Sequence, residues 1–196
     1  MQSGHPADGA DVEQRRIVQQ HSIAGRTRVA ITFEQHDQIN FQVPSQLGSG
    51  PMQATVILNP GRPNELRSDV ATTTQMNYAP VFFTFSGGTS IAALTADFKW
   101  AVVPGGVNAK PDDIVLLYGS GFGVTTPANQ TGQITIGGTT LAASDILYAG
   151  IAPQANSGLY QFNLRIPASA ATGDLPVSTT IGGDSTKAWA TIPILR

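Results

Sequence analysis

One motif occurs twice in this chain, and it restricts the fold more than any other feature of the sequence. The segments QINFQVPSQLGSG (38–50) and YQFNLRIPASAATG (160–173) share the pattern Gln-x-Asn-x-x-(Val/Ile)-Pro, and each reaches a glycine six residues after the proline. Corresponding positions, such as Gln38 and Gln161, are 123 residues apart. Alternating apolar and polar residues that end at a proline predict a β-strand followed by a turn. The repeat therefore predicts one strand-turn-strand element that is used twice.

The glutamine and asparagine of each copy are two residues apart, so they lie on the same polar face of the predicted strand. The interpretation we favour is that their amides hold the following turn by hydrogen bonds to loop backbone. Ligand binding by these side chains is the alternative.

The composition predicts many short strands. The chain has 196 residues, of which 41% are hydrophobic and only 12% charged, and it contains 21 glycines and 13 prolines. Strand-like runs at short intervals, separated by Gly, Pro and Asn, are typical of β-sandwiches with Greek-key connections. We therefore predict an all-β fold with two tandem immunoglobulin-like β-sandwich units, joined by a β-hairpin and a short linker.

The predicted boundaries follow from these runs. They are an N-terminal tail or edge segment (1–26), a first, shortened unit (27–79), a hairpin and linker (80–110) and a second sandwich (111–196). The first unit is short for a seven-stranded sandwich. Either it is a reduced sandwich, or residues 12–24 supply a missing strand. The run VEQRRIVQQH in this stretch could form a short helix or one edge strand.

Charge and composition argue against several classes of function. The net charge is −2 with no basic cluster, which disfavours nucleic-acid binding. The absence of cysteine excludes disulfides and thiolate chemistry. No run approaches eighteen apolar residues, so we expect no membrane span. The N-terminus lacks an apolar signal core, so a secreted protein would be represented here by its mature form or a fragment.

No motif of the chain predicts an enzyme, a metal site or a bound cofactor. The histidines His5, His21 and His36 are interpreted as surface residues, and the second unit has none, so it holds no Ser-His-Asp triad. The segment GSGFG (119–123) lacks phosphate-loop spacing and is interpreted as a turn that needs positive φ.

Carboxylates in turns leave one alternative open. Asp112, Asp113 and Asp184 are interpreted as solvated turn residues, with calcium binding at a sandwich tip as the alternative.

Two tryptophans are the candidate ligand platform. Trp100 lies in FKW and Trp189 in KAW. Packing in the core or between units is the favoured interpretation. Stacking of an exposed indole on a sugar ring is the alternative, and alternation in KAWATI places Trp189 on the more polar face of a predicted strand.

Several segments resemble a known family. PDDIVLLYGSGFGVTTPA, ITIGG, ILYAGIAP and GLYQFNLRIPASAATGDLPVSTTIGG resemble the Solibacter-type C-terminal domain, a family of unknown function at the ends of large secreted acidobacterial proteins. The resemblance covers residues 80–196 well and reaches the first unit through DQINFQVP. It implies immunoglobulin-like sandwiches similar to IPT/TIG modules, an exported location and no known catalytic residues. The first unit departs from the pattern, because a strand and turn between AITF and QINF are shortened to EQHD.

Together these observations predict a non-catalytic, exported structural or adhesion-type module of a bacterial secreted or cell-surface protein. Its expected partner is a protein or polysaccharide at the cell surface, and we expect a monomer. A carbohydrate-binding accessory module with Trp100 or Trp189 exposed is the alternative. A hydrolase with a site between the two units is a third hypothesis, for which the chain contains no motif.

Overall fold

A computed structural model describes residues 16–21, 26–29, 31–35, 38–44, 49–85, 88–123, 133–153, 158–187 and 189–196. Within these residues the chain forms antiparallel β-strands and no α-helix, with short 3-10 turns such as Ala143–Asp145. The predicted all-β fold is confirmed. The chain divides into two compact units, Met1–Gln75 and Met76–Arg196. The immunoglobulin-like description of these units stays a prediction.

The first unit has seven strands in its described part: β1 (Arg16–His21), β2 (Arg26–Val29), β3 (Ile31–Gln35), β4 (Gln38–Phe41), β5 (Gly50–Leu58), β6 (Leu66–Arg67) and β7 (Ala71–Gln75). One sheet has the order β2-β1-β5-β6, and β7 also pairs with β5. β3 and β4 form a second, two-stranded sheet.

The second unit has ten described strands: β8 (Val81–Phe82), β9 (Ala93–Thr95), β10 (Ile114–Ser120), β11 (Ile134–Ile136), β12 (Thr139–Thr140), β13 (Ile146–Ile151), β14 (Tyr160–Arg165), β15 (Gly173–Ile181), β16 (Asp184–Ser185) and β17 (Thr191–Ile194). One sheet has the order β13-β14-β10-β8, with β9 also on β10. The other has the order β12-β11-β15-β16, with β17 also on β15.

The core of the second unit is built from both of its sheets. Alternate residues of β10, Val115 and Leu117, are buried in one hydrophobic cluster with Ile134, Val177 and Ile192 of the other sheet. This arrangement is the expected result of period-two alternation in strands that pack face to face. The predicted apolar strand DIVLLYG is confirmed as β10.

Four aromatic rings fill one part of this core. Phe122 lies 4.8 Å from Phe162 and 5.4 Å from Tyr160 between ring centroids, and Phe82 lies 5.4 Å from Phe162. Their tilted and edge-on arrangements are those that aromatic rings prefer. The cluster joins β8 and β14 through the loop after β10.

Residues 80–110 belong to the second unit, whereas the sequence predicted a hairpin and linker between the units. Phe82, Ala93, Val102 and Ala109 are buried in the core of that unit. β8 and β9 pair with β10. The glycines and prolines of VVPGGVNAKP make turns, but Val102 and Ala109 on either side of these turns pack inward.

The N-terminal segment 1–26 was predicted as a tail or edge segment. Residues 1–15 lie outside the described residues. Residues 16–21, within the stretch predicted to supply a missing strand, form β1, which lies between β2 and β5. β1 is therefore an interior strand of the first sheet, rather than a helix or an edge strand.

The sequence repeat corresponds to a repeat of architecture. β5 and β15 are both nine residues long, and each begins at a glycine with positive φ, 138° at Gly50 and 133° at Gly173. The order β2-β1-β5-β6 with β7 on β5 matches β12-β11-β15-β16 with β17 on β15. The pairs β3-β4 and β13-β14 each carry one register shift, at equivalent places. The predicted strand-turn-strand element is present twice.

Candidate functional site

A hairpin that follows β9 presents two aromatic side chains to solvent. The chain turns at residues 96–99 and returns beside β9. The Thr95 N–H donates to the Trp100 carbonyl (2.9 Å), and the Phe98 N–H donates to the Thr95 carbonyl (2.9 Å). The Val102 N–H donates to the Ala93 carbonyl (2.9 Å), which fixes the returning strand against β9.

Asp97 stabilises the turn through hydrogen bonds to other residues of the turn. Its carboxylate accepts hydrogen bonds from the Thr95 hydroxyl (2.6 Å) and the Lys99 N–H (3.2 Å), and it pairs with the Lys99 ammonium (3.3 Å). The Thr95 hydroxyl also accepts a bond from the Trp100 N–H (3.2 Å). The Thr95 hydrogen bond, followed by the Lys99 N–H, lowers the pKa of Asp97. The turn therefore carries a carboxylate that stays ionised.

The aromatic rings of this turn are exposed: Trp100 is 61% and Phe98 59% accessible. Trp100 is two residues from the buried Val102, so the two share one side of the returning strand. Val102 is the last core residue on this side of the strand. Trp100 lies beyond it, so no core residue covers its ring. Phe98 adopts positive φ (60°), a conformation that costs a non-glycine residue about 1–2 kcal/mol.

A groove adjoins Trp100, and three successive segments line it. The hairpin contributes Trp100 and Asp97, the next turn Val107 and Asn108, and the start of β10 Asp113. We call this surface the Trp100 groove. Its volume is about 330 Å³, at the lower end of the range for ligand sites. It combines an aromatic wall with a few amide and carboxylate groups.

Trp189 is the second sequence-predicted platform residue, and it lies elsewhere in the second unit. It is 43% exposed and precedes β17, in a turn rather than in the strand that alternation predicted. It does not line the Trp100 groove. The two tryptophans therefore do not form one platform there.

Of the other described sequence candidates, Asp113 lines the Trp100 groove and the rest lie elsewhere. In GSGFG, Gly121 and Gly123 adopt positive φ (81° and 92°), as the turn interpretation requires. An added Cβ at Gly121 would meet the Ala79 carbonyl oxygen. Asp112 is an exposed turn residue with positive φ (69°), and Asp113 accepts a bond from the Lys110 N–H (2.9 Å).

Within the described residues, no group of three or more His, Cys, Asp or Glu residues is placed to hold a metal. His5 and His36 lie outside this part, and the side chain of His21 is not described. The same part of the chain contains no helix of the length and apolarity that a membrane span requires.

The repeated glutamine and asparagine bond to each other, and in the second copy, where the following turn is described, no hydrogen bond of theirs to its backbone is present. In both copies the glutamine Nε2 donates to the asparagine Oδ1 at 2.8 Å, Gln38 to Asn40 and Gln161 to Asn163. Residues two apart on a strand are near enough for this bond. The motif thus provides a polar link along one strand face.

No protein-family model matches the sequence, and no curated protein matches it. Among solved structures, the chain is similar to the SGBP-B protein of the Bacteroides ovatus mixed-linkage glucan utilization locus, solved in complex with a mixed-linkage heptasaccharide. The identity is 12% and the TM-score 0.34. The likeness covers 93% of this chain and 38% of that chain. Nothing about ligand or activity follows from a likeness at this level.

The sequence analysis named Trp100 and Asp113 separately, but it did not predict that they are neighbours or that Phe98 and Asn108 lie near them. Phe98 is two residues away and shares the turn, so the spacing F-K-W was a usable signal. Asn108 and Asp113 reach the groove only because the following turn and β10 fold back beside the hairpin. Their contribution depends on the tertiary fold.

Proposed function

We propose that the chain is a non-catalytic, exported module that binds polysaccharide in the Trp100 groove. The observation that carries this proposal is an exposed tryptophan beside a groove, in a turn that hydrogen bonds hold in place. A preformed turn loses little conformational entropy when a ligand binds. The exported location is supported by the resemblance to domains of secreted proteins.

The chemistry of the groove suits a neutral sugar chain. The indole offers a flat apolar face that the C–H face of a sugar ring can cover, and tryptophan combines such a face with a polar edge. The amide of Asn108 can donate and accept hydrogen bonds to hydroxyls, and the carboxylates of Asp97 and Asp113 can accept them. Two carboxylates also disfavour an anionic polysaccharide.

Asp97 does not have the properties of a general acid. A glycoside hydrolase needs a carboxylic acid whose pKa is raised, so that it can protonate the leaving group. The pKa of Asp97 is lowered instead, and its oxygens already accept bonds from Thr95 and Lys99. We therefore propose that the structural or adhesion-type module predicted from the sequence acts by binding polysaccharide.

Affinity electrophoresis of the full chain in gels with soluble neutral polysaccharides tests this function. Trp100→Ala should weaken retardation by about 30-fold in Kd, since a central tryptophan in a binding site contributes roughly 2 kcal/mol. Trp189→Ala is the matched control, because it removes an exposed indole outside the groove. Equal retardation of both variants, or no retardation of the parent chain by any neutral polysaccharide, would contradict the proposal.

A further inference from the structure

The two carboxylates that line the Trp100 groove differ in what their oxygens already bind. Those of Asp97 accept hydrogen bonds from the Thr95 hydroxyl (2.6 Å) and the Lys99 N–H (3.2 Å), and one lies 3.3 Å from the Lys99 ammonium. Asp113 accepts from the Lys110 N–H through Oδ2 (2.9 Å), and among the described residues its Oδ1 has no partner. One oxygen of Asp113 is therefore available to a ligand, whereas the turn uses those of Asp97.

The position of Asp113 is fixed by the fold before any ligand binds. It immediately precedes β10, an interior strand of its sheet. Its N–H donates to the Lys110 carbonyl (3.1 Å), and its carbonyl accepts from the Ile166 N–H (2.8 Å). Because these bonds and the side-chain bond from Lys110 hold the residue, little conformational entropy is lost when its carboxylate meets a ligand.

The charge of Asp113 is not offset in the way that the charge of Asp97 is. Lys99 pairs with Asp97, whereas in the part of the chain that the structure describes no lysine, arginine or histidine forms an ion pair with Asp113. Asp113 is exposed, so water solvates its carboxylate in the free protein. A ligand that covers this carboxylate must bring a hydrogen-bond donor, because an ionised group that loses water without a new partner destabilises the complex.

A sugar ring on Trp100 brings such donors at its edge. Its C–H face covers the indole, and its hydroxyls surround that face. The half-buried Asn108 also lines the groove, and its amide can bind either the hydrogen or the oxygen of a hydroxyl. A carboxylate accepts only, so Asp113 discriminates among ring substituents where Asn108 does not.

We propose that Asp113 determines which sugar rings the Trp100 groove accepts: its Oδ1 takes a hydrogen bond from a free hydroxyl of the ring that covers Trp100. This inference rests on the proposed function, and it names the substrate class as a polysaccharide whose bound ring carries an unsubstituted hydroxyl there. An ether at that place has no proton to donate, and a carboxylate there repels Asp113. Asp97 is in this account a positioning residue, which holds the turn that carries Trp100.

Asp113→Asn tests the discrimination and keeps the bond to Lys110. The asparagine carbonyl oxygen can still accept from the Lys110 N–H, while the NH₂ group replaces the available oxygen by a donor. Asp112→Asn is the matched control, because it makes the same change of charge at the neighbouring position and does not line the groove. Asparagine also readily adopts the positive φ (69°) of Asp112.

Affinity electrophoresis of the full chain compares a soluble β-glucan, a galactomannan and a xylan, each beside its carboxymethylated and its O-methylated derivative. We expect the parent chain to prefer at least one unmodified polysaccharide over its derivatives by about tenfold in Kd or more. In Asp113→Asn this preference should fall by at least about tenfold, since one charge-assisted hydrogen bond is lost. In Asp112→Asn it should change by less than about threefold, because physiological ionic strength weakens the effect of a charge that does not touch the ligand.

Each contrary result has its own meaning. An unchanged preference in Asp113→Asn, with retardation that still depends on Trp100, would overturn this inference and leave the proposed function standing. The same holds for uniform weakening with every derivative, which would show that Asp113 only supports the groove, and for an equal shift in Asp112→Asn, which would assign the effect to net charge. Absence of retardation of the parent chain by every unmodified polysaccharide would contradict the proposed function itself, and this inference with it.

Discussion

Among single residues, Phe98 is unusual because it adopts a left-handed backbone conformation although it is not glycine. Its φ is 60°, and the ring is exposed, so core packing does not offset the strain. Backbone strain of this kind is often stored at functional sites. Phe98 stands two residues from Trp100 in the same turn, and although it does not line the Trp100 groove, we predict that its ring adds a second contact for the proposed polysaccharide.

Replacing Phe98 with glycine should change the stability of the second unit and its affinity for polysaccharide in opposite directions. Phe98→Gly should stabilise the second unit by about 1 kcal/mol, because glycine adopts positive φ without steric cost. It should also weaken polysaccharide binding several-fold, because the ring is lost. Urea unfolding followed by tryptophan fluorescence and affinity electrophoresis measure the two effects. Phe98→Ala is the control: it should weaken binding equally without the gain in stability, and a gain as large as that of glycine would contradict the account.

At the level of elements, one motif produces the same strand in two surroundings. The Gln161–Asn163 bond lies on β14, where Gln161 is only 7% exposed, whereas the Gln38–Asn40 bond is exposed. The spacing of two predicted the shared face, but it did not predict the hydrogen bond between the two amides. The sequence pattern fixes which side chains are neighbours along a strand, whereas burial depends on which other strands are adjacent.

This difference predicts unequal effects of one substitution in the two copies. Gln161→Ala should destabilise the second unit by about 1–2 kcal/mol, because a buried hydrogen bond is lost and its partner remains. Gln38→Ala should change the free energy of unfolding of the first unit by less than about 0.5 kcal/mol, as is usual at the surface. Urea unfolding measures the first by fluorescence and the second by circular dichroism. Similar losses in both units would argue against burial as the cause.

Strand prediction succeeded where apolar runs were long, and the predicted hairpin of residues 80–100 is present, with Thr84 paired to Ile91. The prediction that 80–110 lies between the units differs from the structure, which includes these residues in the second unit. DIVLLYG could be identified because a central strand is buried on both faces and reads as a continuous apolar run. Val102 and Ala109 are single apolar residues among turn formers, and only the completed sheets show that they are core. Trp100 could be named from sequence for its chemistry, but the groove beside it depends on how the turn 103–108 folds back.

For the whole molecule, the cores of the two units differ in size within the described residues. The buried hydrophobic side chains described in the first unit are Val29, Met52 and Ile57, whereas the second unit has an extensive cluster that includes four aromatic rings. Stability rises with the apolar area that folding buries. The first unit should therefore be much the less stable.

Urea unfolding should show this difference as two transitions. Both tryptophans lie in the second unit, so fluorescence reports on that unit alone, and circular dichroism reports on both. We expect an early dichroism transition without a fluorescence change, followed by a later transition seen by both. A single transition that coincides in both signals would contradict the prediction that the first unit unfolds at a lower urea concentration than the second.

The central claim, that polysaccharide covers Trp100, has a direct test in the Trp189→Phe variant, in which Trp100 is the sole tryptophan. Acrylamide quenching of its fluorescence is measured with and without a neutral oligosaccharide from the polysaccharide that retards the chain most. The account predicts strong quenching of the free protein and a marked loss of quenching at saturation. Quenching that stays unchanged while the oligosaccharide is bound would show that the ligand lies elsewhere and would contradict the account.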